Sequence, residues 1–244
     1  MRFGGVVALD GLTFDITEGD ICALIGPNGA GKTTLFNVVS RLYQASQGTV
    51  RFAGQDLLAL PPHRIASIGI ARTFQNLALV EGLTVLENVV VGSHSVTRGG
   101  FLAGFLTFPT RHAERATAQR AMAMLERLDL VPFADRPCAG LPYGTLKRIE
   151  LARAMMSNPR LLMLDEPASG LTHGEVDELA QLIRGLRDDH DLTILLVEHH
   201  MGLVMRVSDH VNVLSFGRQI AAGTPDEVRA NPDVIEAYLG SDED

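Results

Sequence analysis

Apolar residues fall into two patterns along the chain: short runs rich in β-branched residues, and longer stretches at helical spacing. Ile21-Cys22-Ala23-Leu24-Ile25, Leu161-Leu162-Met163-Leu164 and Thr193-Ile194-Leu195-Leu196-Val197 predict strands buried on both faces. Residues 211–215 predict another. Residues 32–42 predict a helix that opens inside a glycine-rich turn. This alternation is that of an α/β protein built on a mainly parallel sheet. Residues 6–16 and 49–53 read as short strands joined by turns, a small β-layer beside the main sheet. Over residues 111–130, Ala121, Met124, Leu125 and Leu128 recur at helical spacing and predict a separate helical lobe. The expected organisation is one domain, with a core and β-layer over 1–75 and 150–244 and a helical lobe over 76–149. Thr224-Pro225-Asp226-Glu227 sets an N-cap, a proline at N1 and a glutamate at N3. Asn231-Pro232 repeats that logic, and Gly240 is a fitting stop.

Composition narrows the function classes. The chain has 244 residues, 46% of them hydrophobic and 20% charged, the balance of a globular protein with a sizeable core. A net charge of −8 argues against a nucleic-acid partner, since phosphate contacts need clustered Lys and Arg. The two cysteines, Cys22 and Cys138, show no metal-site spacing and read as reduced thiols, Cys22 within the core. Met1-Arg2-Phe3 leads straight into folding sequence, so no signal peptide is expected. The uncharged run 99–110 is broken by glycines and falls short of the roughly 20 apolar residues of a membrane-spanning helix. Any membrane role is therefore expected from the water side.

Gly26-Pro27-Asn28-Gly29-Ala30-Gly31-Lys32-Thr33, followed by Thr34, fits G-x-x-x-x-G-K-[ST] between a strand and a helix. Glycines let backbone N–H groups converge on phosphate oxygens, and the helix N-terminus adds positive potential. Lys32 is placed to reach the β- and γ-phosphates, and the Thr33 hydroxyl to ligate Mg²⁺. No Asn-Lys-x-Asp guanine-reading motif occurs, which argues against a GTPase. The buried run at 161–164 ends in Asp165-Glu166-Pro167. Carboxylates at the end of an apolar strand are costly unless a cation is shared there. Asp165 is expected to hold the Mg²⁺ and Glu166 to take the proton of an attacking water.

Three further pieces follow a fixed order around these motifs. Ala71-Arg72-Thr73-Phe74-Gln75 precedes Leu141-Pro142-Tyr143-Gly144-Thr145, which leads into an amphipathic helix expected at 146–158. Glu198-His199-His200 follows the last strand. With this order of phosphate loop, glutamine, glycine-bearing signature, acidic strand and histidine, essentially the whole chain resembles the ABC ATPase family. The resemblance implies a P-loop core with a mainly parallel sheet, a small antiparallel β-layer and a helical lobe. It implies ATP and Mg²⁺ as cofactors, with Gln75 at the metal and the attacking water. His199, rather than the adjacent His200, is the residue implied at the γ-phosphate. Tyr143, Gly144 and Thr145 lie where the family meets the ATP held by a second subunit, Ser169-Gly170-Leu171-Thr172 occupies the D-loop, and Phe3 lies where an aromatic stacks on adenine. Thr172 also begins a T-x-x-E capping box with Glu175.

Gly69-Ile70-Ala71-Arg72-Thr73-Phe74-Gln75-Asn76, Thr84-Val85-Leu86-Glu87-Asn88-Val89, the 99–110 insertion and Glu236-Ala237-Tyr238-Leu239-Gly240 resemble the larger ATPase of branched-chain amino acid importers. That resemblance implies separate integral membrane permease subunits, a second ABC ATPase subunit and, indirectly, a periplasmic or extracellular solute-binding protein. It places the chain on the cytoplasmic face of the membrane and implies no nucleic acid. The signature departs from the family's Leu-Ser-Gly-Gly-Gln at Pro142, Tyr143 and Thr145, which favours a heterodimer over a homodimer. The family's first β-strand has no counterpart before Phe3. An envelope lipid exporter ATPase is the nearest alternative. A DNA-repair type ABC ATPase lacks support, because no sustained heptads lie between the two nucleotide motifs. A module that binds without hydrolysing is opposed by intact Lys32, Asp165, Glu166 and His199.

Overall fold

The computed structural model describes residues 1–73, 77–95 and 111–239; Gln75, the 99–110 insertion and Gly240 lie outside the described residues. The chain divides into two compact units, one made of Met1–Ile65 with Arg160–Asp244 and the other of Ala66–Pro159. In chain order, the first unit opens with β1 (Arg2–Phe3), β2 (Val6–Val7), β3 (Ile21–Ile25), α1 (Lys32–Val39), β4 (Arg51–Phe52) and β5 (Gln55–Asp56). The second unit carries β6 (Ile70–Arg72), α2 (Val85–Val91), α3 (Arg111–Arg127) and α4 (Tyr143–Met155). The chain then returns to the first unit with β7 (Leu161–Asp165), α5 (His173–His190), β8 (Thr193–Val197), α6 (Met201–Val207), β9 (His210–Ser215), β10 (Arg218–Gly223), α7 (Pro225–Arg229) and α8 (Pro232–Leu239).

In the first unit the main sheet runs β10-β9-β3-β8-β7. β3 pairs in parallel with β8 and β9, and β8 in parallel with β7, while β10 returns antiparallel along β9. Every residue of β3, β7 and β8 is buried, as unbroken apolar runs require when helices cover both faces. The parallel register sets Asp165 beside Val197 and Leu24 beside Val197, so the ends of β3, β7 and β8 lie together. The loops that follow β3, β7 and β8, which carry the phosphate-loop residues, Glu166 and His199, leave from these ends. α5 buries Val176, Leu179, Ala180, Ile183 and Leu186, one apolar stripe at helical spacing. The antiparallel pairs β1–β2 and β4–β5 form the expected small β-layer strands.

In the second unit α2, α3 and α4 pack on one another, and Val85, Val89, Ala121, Leu125, Ile149 and Ala152 on these helices are buried. Asn88 is a buried polar tie. Its amide donates to the carbonyls of Val80, Leu83 and Thr84, and its oxygen accepts from the Val80 N–H at 2.8 Å. This fixes the loop entering α2 without leaving a buried polar group unmatched.

Several elements differ from expectation. Over residues 12–17, Leu12, Phe14 and Ile16 are half-buried and Thr13, Asp15 and Thr17 exposed, which is strand-like alternation. The segment nonetheless has no ladder partner among the described residues, so only Val6–Val7 of the 6–16 stretch forms a strand. α1 ends at Val39 rather than near residue 42, because Arg41 turns to φ 60°. α3 stops before Asp129, at φ 57°. α4 begins at Tyr143 with Pro142 as its N-cap, so the signature residues form its first turn rather than a loop ahead of it. It is also not amphipathic: Ile149, Glu150, Leu151 and Ala152 are buried in succession, which no single stripe allows.

Candidate functional site

The phosphate-loop candidates stay within one unit. Gly26 ends the buried run of β3 at φ 148°, and a Cβ there would meet the Leu214 carbonyl oxygen at 2.1 Å. Gly31 caps α1 at φ 102°, where a Cβ would meet the Ala8 carbonyl oxygen at 2.5 Å. Both turns therefore exclude side chains, and the backbone between them curls into a closed loop. Ala30 donates its N–H to Pro27 and accepts from Gly217. Asn28, Gly29 and Thr33 are exposed, and no side chain caps the N-terminus of α1, so that end is open to an anion. Lys32 is 7% exposed and donates to the carbonyls of Gly26 at 2.6 Å and Pro27 at 3.0 Å. Burial pushes its pKa down, while the neighbouring carboxylates of Glu166 and Asp165 push it up. An ammonium, an uncapped helix start and two nearby carboxylates suit a phosphate chain with a divalent cation. Among the described residues no group of three His, Cys, Asp or Glu side chains could bind a metal.

Asp165 closes β7, buried, and Glu166 follows in the left-handed region at φ 48°. A non-glycine residue there is strained and persists only where its surroundings fix it. Two backbone bonds do so: the Glu166 N–H donates to Val197 at 2.9 Å, and the Ser169 N–H to the Glu166 carbonyl at 3.1 Å. His199 lies 3.9 Å from Glu166, measured from Nδ1 to the carboxylate, with its side chain 59% exposed. His200 is occupied differently: its Nδ1 accepts the Leu203 N–H at 3.2 Å as the N-cap of α6. The structure thus separates the two histidines, one facing the acid and one capping a helix.

Phe3 is exposed on β1, its ring set edge-on to Tyr43 with centroids 5.2 Å apart. Tyr143 is exposed at the start of α4 with the Lys147 ammonium over its ring at 5.5 Å, Gly144 is buried and Thr145 half-buried. Thr172 caps α5 in a complete capping box. Two residues that motif reading left without a role also stand at the site. Tyr238 of α8 packs on the apolar cluster around Ala23, Ile25 and Val213, and its hydroxyl meets the Gly26 backbone. Burial holds that phenol above its usual range against the opposing Gly26 contact. Glu198 is fully buried and accepts three backbone N–H groups. The sequence shows an acid one residue before a histidine, but neither its burial nor its bond to Ala168, which lies on the segment after β7.

Among known families, the one described as ABC transporter matches residues 9–169, and one described as branched-chain amino acid ATP-binding cassette transporter matches residues 218–244. The chain is 47% identical to the high-affinity branched-chain amino acid transport ATP-binding protein BraF of Pseudomonas aeruginosa, over 98% of this chain and 94% of that protein. It is similar to the crystal structure of the ADP conformation of an ATP-binding cassette of an ABC transporter, with a TM-score of 0.86 and 32% identity over 98% and 95% of the two chains. It also resembles a dimeric bacterial ABC transporter cassette, with a TM-score of 0.76 and 25% identity over 90% and 91%.

Proposed function

The chain belongs to the ABC transporter family as one of its ATP-hydrolysing subunits, and on that premise we propose that it powers uptake of branched-chain or related amino acids through separate permease subunits. The observation that supports the cargo most directly is the C-terminal match at 218–244, together with high identity to an amino-acid transport protein along nearly the whole chain. No helix among the described residues is long and apolar enough to cross a membrane, so the membrane path belongs to partners. The subunit acts from the cytoplasmic face, paired with a second ABC ATPase subunit. A solute-binding protein on the far side delivers the cargo.

At the site, the N–H groups of residues 26–33 and the start of α1 hold the phosphates of ATP, with Thr34 beside them, and Lys32 neutralises charge on the outer two. Thr33 and Asp165 would hold Mg²⁺, which would supply neutralisation of phosphate charge. Glu166 orients the attacking water and accepts its proton as the water oxygen bonds to phosphorus and ADP leaves. His199, facing Glu166, donates to the transferred phosphate. Phe3 stacks on the base, and Gln75 belongs at the metal and the water. Tyr143, Gly144 and Thr145, the first turn of α4, meet the ATP of the partner ATPase.

The test is uptake of labelled leucine by cells lacking the gene, complemented with the wild type or with Glu166→Gln. The wild type restores uptake. Glu166→Gln binds ATP but hydrolyses it roughly 100-fold more slowly or worse and restores nothing. Normal leucine uptake in the deletion strain, with envelope lipid export lost instead, would replace the importer reading by the exporter one.

A further inference from the structure

We propose that Glu198 is a positioning residue for hydrolysis, tying the turn that carries Glu166 to the loop that carries His199; this rests on the reading of Glu166 and His199 given above. The carboxylate spans two segments that β7 and β8 bring side by side, Asp165 pairing with Val197. One oxygen accepts the Ala168 N–H at 2.7 Å. The other accepts the N–H groups of His199 at 2.8 Å and His200 at 2.9 Å. Glu198 has no exposed surface, so these bonds are made without competing water.

The division of labour between the two oxygens makes the residue type specific. All three partners are donors, and a carboxylate is acceptor-only at both ends. A glutamine offers one acceptor; whichever way its amide is set, its NH₂ faces an N–H on one of the two segments. The bridge opens there while side-chain volume is kept. What the bridge holds is strained: Glu166 sits at φ 48°, pinned ahead by its bond to Val197 and behind by the turn whose Ala168 N–H Glu198 receives. On the other side it fixes the backbone of His199, whose Nδ1 lies 3.9 Å from both Glu166 and Glu198. Glu198 thus sets the distance between the proposed base and the proposed phosphate donor while touching neither nucleotide nor water.

The experiment measures ATPase kcat and KM in the assembled transporter for the wild type, Glu198→Gln, Glu198→Asp, His199→Ala, Glu166→Gln and the Glu198→Gln/His199→Ala pair. Glu198→Gln lowers kcat about 10-fold or more, the scale of one lost charge-assisted hydrogen bond, and leaves the KM for ATP within about threefold. In the His199→Ala background the same change lowers kcat little further, because the two substitutions break one unit. Glu198→Asp keeps both acceptors but withdraws them by one methylene; it stays folded and gives a smaller kcat loss at unchanged KM. Should Glu198→Gln melt at the assay temperature, Glu198→Asp carries the decision alone. Wild-type kcat in a folded Glu198 variant, a loss confined to KM, or full multiplication of losses in the double variant overturns the proposal. Wild-type kcat in Glu166→Gln overturns instead the functional reading on which it stands.

Discussion

Lys32 is a cation that the fold has taken largely out of water, and the phosphate-binding role proposed for it rests on that placement. Its ammonium lies within hydrogen-bonding distance of two loop carbonyls and near two carboxylates, so burial and attraction oppose each other and burial prevails. A bound triphosphate would supply the negative charge that this group otherwise draws from the loop itself. Lys32→Ala is therefore expected to weaken MgATP binding at least about 10-fold, read by calorimetry alongside a melting curve that checks the fold, since the substitution also removes the donor to the Gly26 and Pro27 carbonyls. Unchanged affinity would contradict the assignment. The strand-turn-helix setting of this loop was legible in the sequence because the glycine spacing dictates the turns. Glu198 was not: it reads as one more acid at a strand end, and only the parallel pairing of β7 with β8 brings Ala168 within reach of it. The choice of His199 over His200 was likewise a choice between adjacent residues, and the geometry separates them by giving His200 the cap of α6.

At the level of elements, starts were more legible than ends. Three helices begin with a threonine followed three residues on by glutamate, and each forms the full reciprocal capping box: Thr84 with Glu87, Thr172 with Glu175 and Thr224 with Glu227. Such a cap satisfies donors that a helix cannot satisfy internally, so its signature is local and survives in sequence. Ends depend on where the chain can turn left-handed, as Arg41 and Asp129 do, and neither residue type announces it. The stretch 12–17 shows the converse, a strand pattern with no ladder among the described residues, because pairing depends on a partner that periodicity does not specify. The caps also carry a pH dependence. Bonds from the Thr224 N–H and hydroxyl, and more weakly the charge of His210, hold Glu227 below its usual 4.5; Thr84 does the same for Glu87. A depressed folded pKa adds stability that is fully present above the unfolded value and is lost as pH falls through the folded one. The melting temperature should accordingly drop below about pH 4.5, and Glu227→Gln should flatten that acid limb while lowering the neutral plateau. An acid limb of unchanged steepness in Glu227→Gln would remove the cap from the account.

For the whole molecule, alternation of apolar runs and helical stretches was enough to predict a mainly parallel sheet, whereas the order β10-β9-β3-β8-β7 was not legible, since sequence-distant strands become neighbours through long crossovers. The largest consequence of the sequence at this scale lies in assembly. If two subunits close head to tail, the ATP on residues 26–33 faces the partner's signature, and this chain's first turn of α4 serves the partner's ATP. That turn is capped by Pro142, which makes no side-chain bond at the helix start and has no hydroxyl to offer a γ-phosphate. One hydrogen bond lost to a charged group is worth about 1.5–3 kcal/mol, roughly 10- to 150-fold in rate. A homodimer would bear that loss at both sites. A heterodimer with a partner bearing a serine there bears it only at the partner's ATP, and the site on this chain's own loop stays fast. The expected outcome is unequal: in the assembled complex, Glu166→Gln here should depress transport well beyond the equivalent substitution in the partner subunit. The comparison is made by initial uptake rates of the two single variants at matched expression. Equal losses, or full transport by a complex holding two copies of this chain, would show that Pro142 costs nothing at the closed interface and that the two sites work alike.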